Sequence, residues 1–245
     1  MKTCVVSTLN GGGLEEINDT QSCVFFDEQL AKPFPGIVLT ALGVSPESRQ
    51  YYQRYEYVRK GWYGWIIQAI EEERTRLVFL LNSVGGEGRV MNDLRHISDR
   101  VLEKEGEVFA FGGQNLMSAP AFVFTNVPRE NRYVMPETDF MLHLGSIGGK
   151  TVNDPESRRL LEESFIGKVS PAMIGAAQEK FRIAQETTED WRIELKGHEL
   201  EEFGLATVVP DLRQAFHERI GLCQEQYAGT IIEDFFTTPS STTSQ

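Results

Sequence analysis

Ser118 and His143 are polar residues within apolar segments. Their side chains, a hydroxyl and an imidazole, are of the types that act together in nucleophilic catalysis. Ser118 belongs to segment 115–124, which reads Asn-Leu-Met-Ser-Ala-Pro-Ala-Phe-Val-Phe, and His143 to segment 139–145, which reads Asp-Phe-Met-Leu-His-Leu-Gly. Buried polar side chains need hydrogen-bonding partners, and a bond between this hydroxyl and this imidazole would satisfy both. Such a pair is the centre of an activated serine nucleophile.

Each of these two residues also has an ordinary structural interpretation. Ser118 precedes Ala119 and Pro120 as a helix N-cap would, because a serine oxygen accepts from the first amides and proline is tolerated in the opening turn. His143, taken alone, is compatible with a histidine satisfied within the core. The sequence leaves both alternatives open, and nucleophile chemistry is favoured only through a third element.

The third element is a turn with two adjacent glycines, Gly85 and Gly86, at the end of the segment Asn82–Gly86. It directly follows the apolar run Leu77–Leu81, which predicts a buried strand. Glycines let the chain turn sharply and present backbone N–H groups, as an oxyanion hole requires. The alternative for this segment is an ordinary strand-to-helix turn.

Several segments together resemble the proteolytic subunits of Clp proteases, which belong to the crotonase-like superfamily. They occur in the family's order and are Asn82–Gly86, Phe111–Gln114 with Met117–Ala119, Arg132–His143 and Glu202–Leu205. The resemblance covers roughly residues 35–212. It implies an α/β fold in which repeated ββα units form a superhelical head, with a projecting helical handle at about residues 150–189.

The ends of the chain differ in composition from its middle. Residues 1–35 lack sustained periodicity, which indicates an N-terminal arm with one strand near Cys23–Phe26. The Ser/Thr-rich end indicates a flexible C-terminal tail over residues 231–245, in which Phe235 and Phe236 are suited to docking on the body. Residues 36–230 would then form the peptidase domain.

The resemblance also implies a catalytic triad. Ser118 would be the nucleophile, His143 the general base, and Asp190 the carboxylate that orients the imidazole. Asp190 is preferred within the acidic segment 186–194 because a short carboxylate has less conformational freedom than a glutamate. The alternative is that Asp190 is simply a helix-end residue.

Main-chain groups complete the site that the resemblance implies. The backbone amides of Gly86 and Ala119 would stabilise the oxyanion, since a helix that begins after Ser118 directs its free N–H groups toward the reacting centre. The backbone at Gly85, Ile147 and Gly148 would bind an extended substrate.

Composition and charge limit the kinds of molecule that this chain is expected to bind. The 245-residue chain has 36 acidic and 24 basic residues and a net charge of −12, which argues against a nucleic-acid-binding surface. No apolar run approaches the ~18 residues that span a bilayer, so we expect no membrane anchor and a cytoplasmic location. The cysteines at positions 4, 23 and 223 lack metal-like spacing, and we expect neither a metal nor a cofactor.

The function implied by the resemblance is that of a serine endopeptidase subunit that hydrolyses unfolded polypeptides inside a heptamer-like ring of identical or related subunits. The chain lacks a Gly-x-x-x-x-Gly-Lys-Ser/Thr phosphate loop, so an AAA+ unfoldase would supply the ATP-driven step.

Two alternative functions stay open. One is a catalytically inactive ring subunit in which Ser118 is only a cap. The other is a crotonase-type acyl-CoA enzyme whose amides hold an enolate oxygen.

Overall fold

The computed structural model describes residues 7–8, 22–26, 36–43, 71, 76–85, 88–143, 146–147, 150–151, 192–228 and 231–237. The strands in these ranges are β1 (Ser7–Thr8), β2 (Ser22–Phe26), β3 (Gly36–Gly43), β4 (Arg76–Ser83), β5 (Glu107–Met117), β6 (Arg132–Val134), β7 (Asp139–His143), β8 (Ser146–Ile147), β9 (Lys150–Thr151), β10 (Arg192–Lys196) and β11 (Thr207–Val208). The helices are α1 (Gly88–Glu103), α2 (Ala119–Asn126), α3 (Gly197–Glu202), α4 (Leu212–Ile220), α5 (Gln224–Tyr227) and α6 (Ile231–Thr237), and a 3-10 turn covers Arg129–Asn131.

The centre of the molecule is a parallel sheet. Strands β3, β4, β5 and β6 pair side by side in parallel, and β11 extends the sheet beyond β6. The apolar run Leu77–Leu81 lies in β4, and each of its residues is at most 1% exposed, as expected of a strand covered on both faces. The predicted buried strand is therefore confirmed, and the fold is mixed α/β, as expected.

Helices cover both faces of this sheet. Val78 and Leu80 share one apolar cluster with Phe216 of α4 and Phe235 of α6. Because successive side chains of a strand alternate between faces, Phe79 points to the opposite side. There α1 and α2 contact each other and the strands β4 and β5.

An irregularity in β5 redirects the strand between two neighbours. Its first part pairs with β6 and its last three residues pair with β7. Against β4, the register passes from the pair Leu81 and Gly112 to the pair Ser83 and Leu116, so β5 holds two extra residues there. The Asn82 side chain fills this bulge, and its Oδ1 accepts a hydrogen bond of 3.0 Å from the Asn115 amide. The bulge therefore moves the end of β5 alongside β7.

Regular elements lie on both sides of the predicted peptidase domain, residues 36–230. In the N-terminal arm, the expected strand is present as β2, but it pairs antiparallel with β3 and belongs to the main sheet. At the other end, residues 231–237 form α6, in which Ile232 and Phe235 are buried in the apolar cluster. Phe235 and Phe236 thus dock on the body, as expected, and help to cover one face of the sheet.

The predicted handle covers about residues 150–189, and all of it after residue 151 lies outside the described residues. The adjoining β8 and β9 form a short antiparallel pair in which Ile147 faces Lys150. In the parts of the chain that the structure describes, no helix has the length and apolar character needed to cross a bilayer.

Candidate active site

Ser118 occupies a sharp turn between β5 and α2. Its backbone has φ 60° and ψ −121°, a positive φ that a non-glycine residue rarely adopts. Two main-chain hydrogen bonds fix it: the Ser118 N–H donates to the Met141 carbonyl at 2.7 Å, and the Phe122 N–H donates to the Ser118 carbonyl at 3.1 Å. A serine on a strained strand-to-helix turn has its hydroxyl held clear of both elements, as nucleophilic serines of hydrolases do.

The Ser118 hydroxyl forms a hydrogen bond with the His143 imidazole. The distance from Oγ to Nε2 is 2.7 Å, and both residues are partly buried. The pair meets because β5 and β7 run parallel, with Met117 beside Met141, so that their carboxyl ends reach the same edge of the sheet. When the neutral ring carries its proton on Nδ1, Nε2 accepts from the hydroxyl, which is the geometry of nucleophile and general base.

The helix-cap interpretation of Ser118 is correct for its backbone only. The residue occupies the N-cap position of α2, but its side chain makes no capping hydrogen bond to the helix. The hydroxyl is instead directed to His143. The sequence allowed a separate structural role for Ser118 and for His143. The fold instead brings their side chains into contact.

Gly85 lies against Ser118 and borders the site. A Cβ built on Gly85 would lie 3.3 Å from Cβ and 3.7 Å from Oγ of Ser118, and the φ of Gly85 is 150°. The backbone of Gly85 is itself bound by Ser83, whose Oγ accepts from the Gly85 N–H at 3.2 Å and donates to the Gly85 carbonyl at 3.1 Å. Gly85 thus lies beside Ser118, and the substrate contact expected at Gly85 stays a prediction.

Ala119 begins helix α2 directly after Ser118. Its side chain is 6% exposed, and Pro120 follows within the first turn, where its missing N–H costs no helical bond. The Ala119 N–H belongs to the first helical turn, whose amides have no acceptor within the helix. This amide also lies at the positive end of the helix dipole, which favours a developing negative charge.

Arg132 lies at the opposite end of α2. It is 2% exposed and donates to the carbonyls of Thr125 at 2.8 Å, Val127 at 2.7 Å and Leu205 at 3.0 Å. Burial lowers the pKa of Arg132 to about 10, so the guanidinium remains a cation at neutral pH. A cation at the carboxyl end of a helix satisfies its last carbonyls, and here it also ties α2 to the segment after α3.

Three of the predicted site residues, Asp190, Gly86 and Gly148, lie outside the described residues. Their assignments as triad carboxylate, oxyanion donor and substrate contact stay predictions, as does the substrate contact at Ile147. The described residues contain no cluster of His, Cys, Asp and Glu that could hold a metal ion.

The sequence predicts no separate role for Ser83, although its hydroxyl bonds to the turn beside Ser118. The available signal was a pair of polar residues, Asn82 and Ser83, at the end of an otherwise apolar strand. Polar side chains at such a position need partners on the backbone.

A cavity of about 490 Å³ lies between the bulge of β5 and the helices α4 and α6. Its walls include Asn82, Gln114, Leu212 and Phe235, and neither Ser118 nor His143 is among them. The cavity and the Ser118–His143 pair are thus separate features of the molecule.

No family model matches this chain, and no curated protein matches it in sequence. Among solved structures, it is similar to a peptidase from Plasmodium falciparum at 13% identity and a TM-score of 0.40, over 60% of this chain and 88% of that one. It is similar to an enoyl-CoA hydratase from Mycobacterium avium at 15% identity and a TM-score of 0.43, over 84% of this chain and 76% of that one. Likenesses of this strength do not assign a family or an activity, so any function has to be argued from the site.

Proposed function

We propose that this chain is a serine endopeptidase of the Clp type, with Ser118 as nucleophile and His143 as general base. The observation that carries the proposal is the 2.7 Å hydrogen bond between Ser118 Oγ and His143 Nε2. The strained turn at Ser118 supports it, because such costly backbone conformations cluster at functional sites, where they fix the direction of a side chain. The motifs that resemble Clp proteolytic subunits surround these same residues.

The proposed mechanism assigns a role to each group of the site. His143 accepts the hydroxyl proton while Ser118 Oγ attacks a peptide carbonyl, which forms a tetrahedral intermediate. The Ala119 amide stabilises the oxyanion, together with the predicted donor Gly86. His143 then gives the proton to the leaving amine, and water releases the acyl group by the same steps. Asp190 is the proposed partner that orients the imidazole.

The proposed biological setting follows from the resemblance. We infer that the chain assembles with identical or related subunits into heptamer-like rings in the cytoplasm, and that an AAA+ unfoldase delivers unfolded polypeptides. Such a peptidase needs a partner for ATP hydrolysis because the sequence has no phosphate loop of its own.

The two alternative functions use Ser118 differently. In a catalytically inactive ring subunit the serine would be only a helix cap, but its side chain makes no capping bond. In a crotonase-type acyl-CoA enzyme both Ser118 and His143 would be idle, which leaves their mutual hydrogen bond without a purpose. The peptidase is therefore the better-supported function.

The test is covalent labelling of the full chain by a fluorophosphonate probe, with native mass recorded on the same samples. Ser118→Ala is expected to abolish labelling, and His143→Ala to slow it by about 10²–10⁴-fold, the usual contribution of a general base. His198→Ala is the matched control, because His198 is exposed and its imidazole contacts the Pro136 carbonyl, not Ser118. Correctly folded protein that is not labelled would overturn the proposal, and a monomeric mass with labelling intact would overturn only the ring.

A further inference from the structure

Ser83 makes two hydrogen bonds to one residue of the glycine turn. Its side chain is 1% exposed, and its Oγ both accepts from the Gly85 N–H at 3.2 Å and donates to the Gly85 carbonyl at 3.1 Å. A hydroxyl has one proton and two lone pairs, so it satisfies both groups at once. Gly85 is buried as well, and the Ser83 hydroxyl therefore takes the place of water at this turn.

The residue held in this way borders the proposed nucleophile. The position of a built Cβ, 3.3 Å from Ser118 Cβ and 3.7 Å from Ser118 Oγ, shows that Gly85 packs directly on that side chain. Ser118 Oγ has its hydrogen-bonding partner, His143 Nε2, at 2.7 Å. A shift of the Gly85 backbone would therefore change the space available to the hydroxyl and its alignment with the imidazole.

We propose that Ser83 is a positioning residue for Ser118, which it serves by holding the Gly85 backbone as a fixed wall beside the nucleophile. This inference rests on the proposed peptidase function. Without the Ser83 hydroxyl, both backbone groups of Gly85 lose their partner, and the turn relaxes toward other donors and acceptors. Small displacements of reacting groups lower rates strongly, by about 10²-fold for a shift of about 1 Å.

Ser98 offers a matched comparison within the same chain. It is also 1% exposed, it lies in α1, and its Oγ has no hydrogen-bonding partner among the described residues. Ser83→Ala and Ser98→Ala therefore remove the same atom from equally buried sites. The two variants differ because only the Ser83 hydroxyl bonds to the turn beside Ser118.

The experiment measures the saturation kinetics of fluorophosphonate labelling in the full chain, which separates the limiting rate from the half-saturating concentration. Ser83→Ala should lower the limiting rate by about 10- to 100-fold, whereas Ser98→Ala should leave it within about twofold. Ser83→Thr keeps the hydroxyl and should restore most of the rate, a rescue that a merely structural role does not require. If Ser83→Ala does not fold, Ser83→Cys replaces it, because its thiol is of similar size but is a weak donor.

The possible outcomes are distinct. A limiting rate for Ser83→Ala, or for Ser83→Cys, that equals wild type would overturn the role of Ser83 while leaving the peptidase proposal intact. An equal loss in Ser83→Ala and Ser98→Ala would also overturn it, because the loss would then follow from burial alone. Absence of Ser118-dependent labelling in the wild type would overturn the proposed function and this inference with it.

Discussion

Ser118 has a strained backbone at the position where the chemistry is proposed. Its φ of 60° and ψ of −121° lie outside the regions that non-glycine residues ordinarily occupy, at a cost of about 1–3 kcal/mol. The hydrogen bonds of its N–H to Met141 and of its carbonyl to Phe122 hold this conformation. Gly85, whose φ is 150°, packs against the Ser118 side chain.

Gly85→Ala tests the contact at the residue scale. The new methyl group would lie 3.3 Å from Ser118 Cβ, in a backbone conformation that favours glycine, so we expect the rate of fluorophosphonate labelling to fall by about 10-fold or more. Gly221→Ala is the control, since Gly221 also has a positive φ, 80°, but a Cβ there meets no atom within 4 Å. Both variants should lose about 1–2 kcal/mol of stability, and equal labelling rates in the two would contradict the prediction.

Helix α2 is fixed at both ends, and each end depends on residues distant in sequence. At its start, Ser118 bonds to β7 through Met141. At its end, the Arg132 guanidinium donates to the carbonyls of Thr125, Val127 and Leu205. The orientation of the helix, and with it that of the Ala119 amide, therefore follows from contacts outside the helix and not from its eight residues alone.

Arg132→Met tests this at the element scale. The substitution keeps much of the apolar stem but leaves buried carbonyls without a donor, and we expect the free energy of unfolding to fall by about 3 kcal/mol or more. Arg129→Met is the control because Arg129 is exposed, and it should change stability by no more than about 0.5 kcal/mol. Urea unfolding followed by circular dichroism measures both, and equal midpoints would refute the role of Arg132.

At the scale of the whole molecule, aromatic side chains near the carboxyl end cover one face of the central sheet. Phe216 packs edge-on against Phe111 of β5 and against Tyr227, with ring centroids 5.4 and 5.8 Å apart. Tyr227 is fully buried, and its hydroxyl forms a 2.5 Å hydrogen bond with His217 Nε2. The three helices α4, α5 and α6 therefore belong to the same core as β5, the strand that leads to Ser118.

The buried tyrosine predicts a dependence of stability on alkaline pH. Burial raises the pKa of Tyr227, so the folded protein keeps a proton that the unfolded chain loses near the ordinary tyrosine pKa of about 10. The stability from this group is complete below about pH 10 and is lost as the pH rises toward the raised folded pKa, by at most about 1.4 kcal/mol per pH unit.

Tyr227→Phe removes the titrating hydroxyl and keeps the aromatic ring. The difference in free energy of unfolding between wild type and Tyr227→Phe should be constant from pH 7 to about pH 9 and should shrink toward pH 11. Urea titrations at each pH measure it. A difference that stays constant through pH 11 would show that Tyr227 does not titrate differently in the folded and unfolded states.

Local patterns in the sequence were enough to predict several elements and the candidate chemical residues. The apolar run Leu77–Leu81 predicted β4 because a strand buried on both faces requires such a run. Ser118 and His143 were identified as polar residues in apolar segments, and Pro120 marked the start of α2. These inferences succeed because they depend on neighbours along the chain.

How these elements and residues meet depends on long-range contacts. The bond between Ser118 and His143 requires the bulge of β5, which depends on the Asn82 side chain bonding to an amide 33 residues away. The end of α2 depends on Arg132 and on a carbonyl 73 residues from it. The position of α6 on the sheet is likewise set by packing, since a short helix has little stability of its own. Register and packing are set by contacts between distant segments, and no local pattern encodes them.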